Sequence, residues 1–315
     1  MTNQYKFSVV IPFFNAEDTI LKTLDSVLNQ TKQAHQIITV DDGSTDSSAE
    51  LIKSYQERYK EIEYVHQINN GVSSARNLGI KKAKNENIFF LDADDLWLPN
   101  KIELHLNHLK LHLECVSSFT NFILFNESHG NLVSFNNYRN ILPLNSRNLS
   151  LDLSRVNGSS SSFLGKRSNL IELGGFREDL KFGEDLELWI RYASKHKICE
   201  IDQIALAIRT NDLKLKNEKL DRSWKISKLY FDIWRTNKIE FGDKESRFAA
   251  RKILRIDLRR NFMKPFNLFV SYPLYFKKKD REVFRSVFRN LIWYYVYFFK
   301  DISLDIHKIF KNKDS

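Results

Sequence analysis

The first hundred residues alternate short apolar runs with amphipathic segments, and each apolar run stops at a polar or acidic cluster. A run of four to six apolar residues is too short for a core helix and reads as a strand buried on both faces. Residues 7–11 (FSVVI), 36–40 (QIITV), 61–66 and 88–91 are the expected strands. Between them, residues 16–30 place Ile20, Leu21, Leu24, Val27 and Leu28 at helical spacing. A second helix opens at Ser47, with Glu50 at capping-box distance, and runs to about Tyr59; a third covers 72–83. The order β-α-β-α-β-α-β predicts a parallel sheet with helices on both faces. In such sheets ligands bind at the carboxyl ends of the strands. Those ends read Pro12-Phe13-Phe14-Asn15, Asp41-Asp42-Gly43-Ser44 and Asp92-Ala93-Asp94-Asp95.

Asp92, Asp94 and Asp95 place three carboxylates within four positions directly after a buried strand. Like charges this close repel, so the arrangement calls for a cation. Carboxylate oxygens suit the hard ions Mg2+ and Mn2+, which complete their shells with water and substrate phosphates. Taken alone the spacing is equally compatible with an aspartate-rich turn or helix cap.

Four segments in order, SVVIPFFNAEDTI, VDDGSTD, NNGVSSARNLGI and FLDADDLWLP, resemble the inverting family 2 glycosyltransferases, whose fold is the nucleotide-sugar-binding GT-A α/β fold. The resemblance covers roughly residues 6–210. GGFREDLKFGEDLELWIR, at 174–191, is similar to the acceptor-side motif of that family, with Glu184 and Asp185 opening a helix whose dipole favours negative charge. The resemblance implies that Pro12, Phe14 and Asn15 line the base and ribose pocket. Asp41 or Asp42 would accept the imide N–H of a uracil or thymine, and Arg76 would contact the nucleotide. Asp92 would meet ribose or a metal-bound water, and Asp94 would ligate Mn2+ or Mg2+ on the donor diphosphate. Asp95 would support the site from behind or cap the next helix. Asp185 would be the general base that takes a proton from an acceptor hydroxyl, with Glu184 in reserve. A single displacement from the opposite face implies inversion.

The rest of the chain is less regular. From 117 to 212 shorter strands are expected at 117–125, 131–135, 159–166 and 198–208, with one helix near 184–194, completing a catalytic domain over 1–212. Residues 213–315 read as a mainly helical, aromatic-rich region holding 26 Lys and Arg against 12 Asp and Glu, whereas the first 212 residues hold 23 against 27. A body of net −4 with a tail of net +14 points to a polyanionic partner for the tail, either nucleic acid or an anionic membrane surface. No nucleic-acid reader motif is present in the tail, which favours the membrane. Phe284, Phe288, Leu291, Tyr295 and Phe299 form one helical stripe flanked by Arg281, Arg285 and Arg289. No run reaches the roughly 18 apolar residues of a spanning helix, and the first residues lack the pattern of a signal peptide.

Two cysteines, Cys115 and Cys199, argue against a disulfide framework and for a reducing compartment. The expectation is therefore a cytoplasmic protein peripheral on the membrane, acting on a glycan or lipid-linked acceptor in surface polysaccharide or lipopolysaccharide biosynthesis, with a homodimer open. His105, His108 and His112 share a helical face, but no Cys or acidic partner completes a ligand set in the sequence, and a solvated face is expected. Ser159–Ser162 lack the Gly-Lys-Ser/Thr of a phosphate loop and read as strand near the acceptor pocket. A sugar-1-phosphate nucleotidyltransferase would need a Gly-rich, Arg- or Lys-bearing loop where Pro12–Glu17 stand.

Overall fold

The computed structural model describes residues 6–128, 131–136 and 159–210. All of them belong to one compact unit. The expected alternation is present: β1 (Phe7–Phe13), α1 (Ile20–Leu28), β2 (Gln36–Asp41), α2 (Ser48–Arg58), β3 (Ile62–His66), α3 (Val72–Lys82) and β4 (Asn87–Phe90). Then follow β5 (Leu96–Trp97), α4 (Lys101–Leu111), β6 (Ser117–Ser128), β7 (Asn131–Asn136), β8 (Phe163–Lys166), α5 (Arg167–Glu172), α6 (Glu184–Lys195) and β9 (Ile198–Arg209). The strands form one mixed sheet in the order β3-β2-β1-β4-β8-β6-β9-β5, with β7 on β6.

Strands β3, β2, β1 and β4 are mutually parallel. The chain steps outward from β1 to β3 and then returns to the other side of β1 as β4. That reversal opens a crevice at the carboxyl ends of β1 and β4, where open α/β sheets hold ligands. All seven residues of β1 and all four of β4 are buried, as helices on both faces require. Helix α1 turns Ile20, Thr23, Leu24 and Val27 to the core. A second core lies under α6, where the Trp189 and Phe163 rings stack at 3.9 Å between centroids and Phe119, Tyr192 and Phe176 close around them.

Several expectations are corrected. Ser47 does precede α2, but its side chain makes no cap; its N–H instead donates to the Glu17 carboxylate at 3.0 Å. Residues 160–162 form a 3-10 turn rather than strand, and β8 begins only at Phe163. The dipeptide Leu96-Trp97, given no element in the sequence reading, pairs antiparallel with β9. The histidine face of α4 is solvated only in part: His108 and His112 are partly exposed, whereas His105 is fully buried and Lys101 with it. The polar strand facing them explains this, because Thr120 accepts from Lys101 Nζ at 2.7 Å and Ser118 Oγ meets His105 Nδ1 at 2.7 Å. Cys115 and Cys199, expected unpaired, are joined as a disulfide with Cα atoms 5.9 Å apart. The basic helices expected over 213–315 lie outside the described residues. Among the described residues no helix is long and apolar enough to cross a membrane.

Candidate active site at the acidic rim

The loops after β1 and β2 are tied to each other. Asn15, left-handed at φ 47°, accepts the Thr45 N–H at 2.8 Å through Oδ1, and its own N–H donates to Ser44 Oγ at 3.1 Å. Asparagine tolerates this conformation better than most residues. Pro12 is buried at the end of β1, while Phe14 stands 49 % exposed beside the crevice and offers a bare ring face.

Asp41 and Asp42 are buried and bonded within the protein. Asp41 accepts the Ser44 N–H at 2.8 Å and the Tyr64 hydroxyl at 2.7 Å. Burial, then Asp41, push the Tyr64 phenol well above its ordinary range, so Tyr64 stays a donor. Asp42 accepts from Gln67 Nε2 at 2.7 Å and from the backbone N–H groups of Asn70 and Gly71 at 2.8 and 2.9 Å. It thereby fixes the entry to α3, the helix that carries Arg76. Gly43 between the two loops has φ 80°, and a Cβ there would stand 2.9 Å from the Asn69 backbone nitrogen; only glycine fits.

Arg76 is the hub. Its guanidinium, 3 % exposed, donates through Nη2 to Asp92 at 2.6 Å and through Nη1 to Glu184 at 2.9 Å. It also lies over the Phe176 ring at 5.1 Å. Burial works against its charge, but Asp92 and Glu184 more than offset it and hold the group firmly protonated. The sequence reading gives Arg76 to the nucleotide; the structure turns both terminal nitrogens to carboxylates.

The segment after β4 is suspended from behind. The Asp92 N–H donates to Ser161 Oγ at 3.0 Å, and the Ser161 hydroxyl donates to Asp95 Oδ2 at 2.6 Å. Asp95 also accepts the Arg209 N–H at 3.1 Å. Asp95 is buried, and burial followed by the charges of Asp92 and Asp94 raises its carboxyl well above the usual range. Asp95 therefore supports the site from within, one of the two roles expected for it. Asp94 is exposed and the Asp92 side chain 33 % exposed, so two carboxylates reach the rim on the solvent side. Such an all-oxygen, open donor set fits a hard divalent cation.

Glu184 and Asp185 enter from the far half of the sheet, as the first two residues of α6. The turn before that helix is locked to α3: Asn77 pairs with Phe176 as a strand would, accepting its N–H and donating to its C=O, both at 2.8 Å. Gly175, at φ 70°, has no room for a Cβ, which would meet Asn77 Oδ1 at 2.3 Å. Arg191, one turn from the buried Glu187, clamps it with bonds of 2.7 and 2.6 Å and also donates to Gly175 O at 2.7 Å. Glu184 is held by Arg76, whereas the Asp185 carboxylate accepts the Leu186 N–H at 2.7 Å. Burial, then Glu184, raise Asp185 to about 6, with Arg76 opposing.

Of the predicted site residues, Arg76 joins Asp92 to Glu184 with Asp185 next to it, while Pro12, Phe14 and Asn15 lie at the end of β1 beside the loop that carries Asp41 and Asp42. Ser161, Asn77, Lys101 and Tyr64 were not among them. Ser161 carried no signal beyond the serine run at 159–162, and Lys101 none at all.

Comparison with known proteins agrees with this architecture. The chain is 35 % identical over 207 residues to an uncharacterized glycosyltransferase of Rickettsia bellii, covering 65 % of this chain and 29 % of that protein. It is 30 % identical over 221 residues to one from Rickettsia typhi, covering 68 % and 67 %. A cholesterol galactosyltransferase of Borreliella burgdorferi is 32 % identical over 141 residues, 44 % of this chain and 39 % of that protein. Against several rickettsial relatives the chain spans only about a third of their length, 29 % in one case and 33 % in two. Among solved structures, S. aureus TarS 1–349 in complex with UDP superposes with a TM-score of 0.58 at 17 % identity, covering 90 % of this chain and 78 % of that one. The same protein in complex with UDP-GlcNAc gives 0.58 at 18 % identity, covering 88 % and 77 %. The profile of glycosyl transferase family 2 matches residues 8–174, from the start of β1 to the turn before α6. With more than half of its length matched and the GT-A sheet beneath the acidic rim, this chain belongs to glycosyl transferase family 2.

Proposed function

We propose that the protein transfers a sugar from a nucleoside-diphosphate sugar, a UDP-sugar, to a hydroxyl of a glycan or lipid-linked acceptor, with inversion at the anomeric carbon. The observation that carries this reading is the double grip of Arg76 on Asp92 and Glu184. It brings the donor rim and the acceptor-side pair to one guanidinium and leaves Asp185 as the member of the pair able to accept a proton.

The acceptor O–H gives its proton to Asp185, the oxygen bonds to the anomeric carbon, and the bond to the diphosphate breaks with its electrons leaving on the nucleoside diphosphate. Phe14 supplies a face for the base, and Asp42 keeps its loop in place beneath it. Asp94, with Asp92, would hold Mn2+ or Mg2+, which when bound neutralises charge on the diphosphate. UDP and UDP-GlcNAc in TarS support a uridine donor. The Borreliella burgdorferi relative, a cholesterol galactosyltransferase, supports a lipid acceptor. The place of action proposed is the cytoplasmic face of the membrane, in surface polysaccharide or lipopolysaccharide assembly.

The deciding measurement is release of nucleoside diphosphate from a panel of nucleotide sugars, followed by the anomeric configuration of the product by NMR. UDP release with one sugar and an inverted product is expected. No release from any nucleotide sugar across acceptor alcohols, glycans and lipids would refute the reading.

A further inference from the structure

At the end of the sheet opposite the acidic rim, three side chains from different elements converge. His108 stands in the last turn of α4, Cys115 in the turn between α4 and β6, and Cys199 is the second residue of β9. The His108 ring nitrogen and the two sulfur atoms lie within 4.8 Å of one another. The strand register places them far from the rim: Leu164 pairs with both Phe89 and Ser118, so Cys115 lies three residues toward the amino end of β4.

Two features make this more than a disulfide beside a histidine. The Nε2 atom of His108 is buried and has no hydrogen-bond partner among the described residues. A buried polar atom left unpaired is costly, so this nitrogen is free to take a partner beside the two sulfur atoms. Second, backbone bonds as well as the S–S bond hold the two cysteine-bearing segments together. The Cys115 N–H donates to His112 O at 2.9 Å, the Val116 N–H to Lys197 O at 3.3 Å, and Ser117 pairs with Ile198 in the parallel ladder. These backbone contacts tie together the segments that carry the two cysteines, whose Cα atoms stand 5.9 Å apart. Two thiolates on one zinc ion, each about 2.3 Å from it, sit close to 4 Å apart, a separation that rotation of both side chains reaches from this backbone.

We propose that the reduced protein binds one zinc-class divalent cation through Cys115 Sγ, Cys199 Sγ and His108 Nε2, with water in the fourth position. Reduction of the disulfide by a thiol or phosphine delivers two electrons and two protons and gives two thiols. Binding the cation then releases both thiol protons, as thiolate ligation requires. Burial, then the neighbouring His112, lower the His108 pKa, with Glu114 opposing; a neutral imidazole is the ligand form. Two thiolates and an imidazole form a softer set than the carboxylate rim and select zinc over magnesium. His108 and Cys199 are only partly buried, which leaves a path for entry. The pair thus alternates between a disulfide and a metal clamp, each tying α4 and the entrance of β6 to β9.

The test uses the full chain reduced with a phosphine and titrated with Co2+, read by absorption. One equivalent giving a thiolate-to-cobalt charge-transfer band with visible d–d bands, both displaced by Zn2+, is expected. A cation held at Asp92 and Asp94 gives no thiolate band, so the two sites are told apart. His108→Ala should weaken binding by at least about tenfold, and Cys115→Ser or Cys199→Ser should abolish the band. The oxidised chain, verified by thiol count, should show none. Absence of the band in the reduced wild type overturns the proposal whatever the variants do. So does a band that survives His108→Ala at unchanged affinity. If a cysteine variant fails to fold by circular dichroism, the wild-type and His108→Ala titrations decide.

Discussion

Glu184 and Asp185 are neighbours in the chain but not in environment. Arg76 neutralises the first, while the second is desolvated beside it and titrates at about 6 instead of its ordinary 3.8. A base so placed is matched to neutral pH. Asp185→Asn should lower kcat by about 10²–10⁴-fold and leave nucleoside diphosphate binding by calorimetry almost unchanged. The acid limb of the kcat/KM profile should fall near pH 6 and belong to this residue. Near-normal turnover of Asp185→Asn together with a dead Glu184→Gln would reverse the two roles. The same shift has a cost in stability whose sign can be worked out. A carboxyl raised in the folded state favours folding less once it is ionised, so the penalty grows from about pH 4 to pH 6 and is complete above. Asp185→Asn should therefore melt higher than wild type at pH 8, with the difference closing toward pH 4. Asp94→Ala is the companion experiment at the rim: Asp94 is exposed, so the fold should survive while transfer is lost. Full transfer by that variant in chelator would remove the metal from the proposed function.

At the scale of elements, the site depends on three turns that hold each other. Asp42 caps the entry to α3, Ser161 suspends the segment after β4, and Asn77 with Gly175 fixes the approach to α6. Ser161→Ala removes the shared partner of the Asp92 N–H and the buried Asp95 carboxyl. Leaving such groups unsatisfied costs about 1–3 kcal/mol. A shift of that size should appear in the denaturant midpoint, with donor affinity falling as Asp92 loosens; an unchanged midpoint would show that Ser161 bears no such load. The parallel strands and their helices were legible in the sequence because burial on both faces demands continuous apolar runs with turn residues between them. The carboxylates were legible because acidic residues recur at the ends of three apolar runs, although Asp41, Asp42 and Asp95 turn out to be bonded within the protein. Ser161, Lys101 and His105 were not, since their meaning comes from partners 13 to 69 residues away that only the closed sheet supplies. The 3-10 turn at 160–162 defeated a pattern reading for a related reason: four serines carry no periodicity, and long-range bonds to Asp92, Asp95 and Trp97 set the local shape. The disulfide partners are 84 residues apart, and nothing in their spacing announces the pair.

At the scale of the whole molecule, the charge is divided between a mildly acidic stretch over 1–212 and a basic one over 213–315. The proposed role of that basic region, which lies outside the described residues, is to hold the enzyme on an anionic membrane surface through basic residues such as Arg281, Arg285 and Arg289. Each basic residue near such a surface contributes about 1 kcal/mol, screened by salt. In flotation assays the full chain should bind anionic liposomes at low salt and release at high salt. Arg281→Glu, Arg285→Glu and Arg289→Glu together should reduce the bound fraction severalfold while leaving soluble-acceptor turnover intact. No binding to anionic liposomes at low salt would end the membrane role, and undiminished binding to neutral liposomes in high salt would end its electrostatic part.

Arg76 carries a thermodynamic obligation as well as a structural one. One guanidinium holds both Asp92 and Glu184, the carboxylates proposed to face donor and acceptor, so a ligand that draws Asp92 away would alter how tightly Glu184 is held, and the reverse. Reciprocity then requires that whatever factor the donor imposes on acceptor affinity, the acceptor imposes on the donor's. On the proposed function the two substrates would then not bind independently, and calorimetry of each in the presence of the other should show the same factor in both directions, reduced in Arg76→Lys.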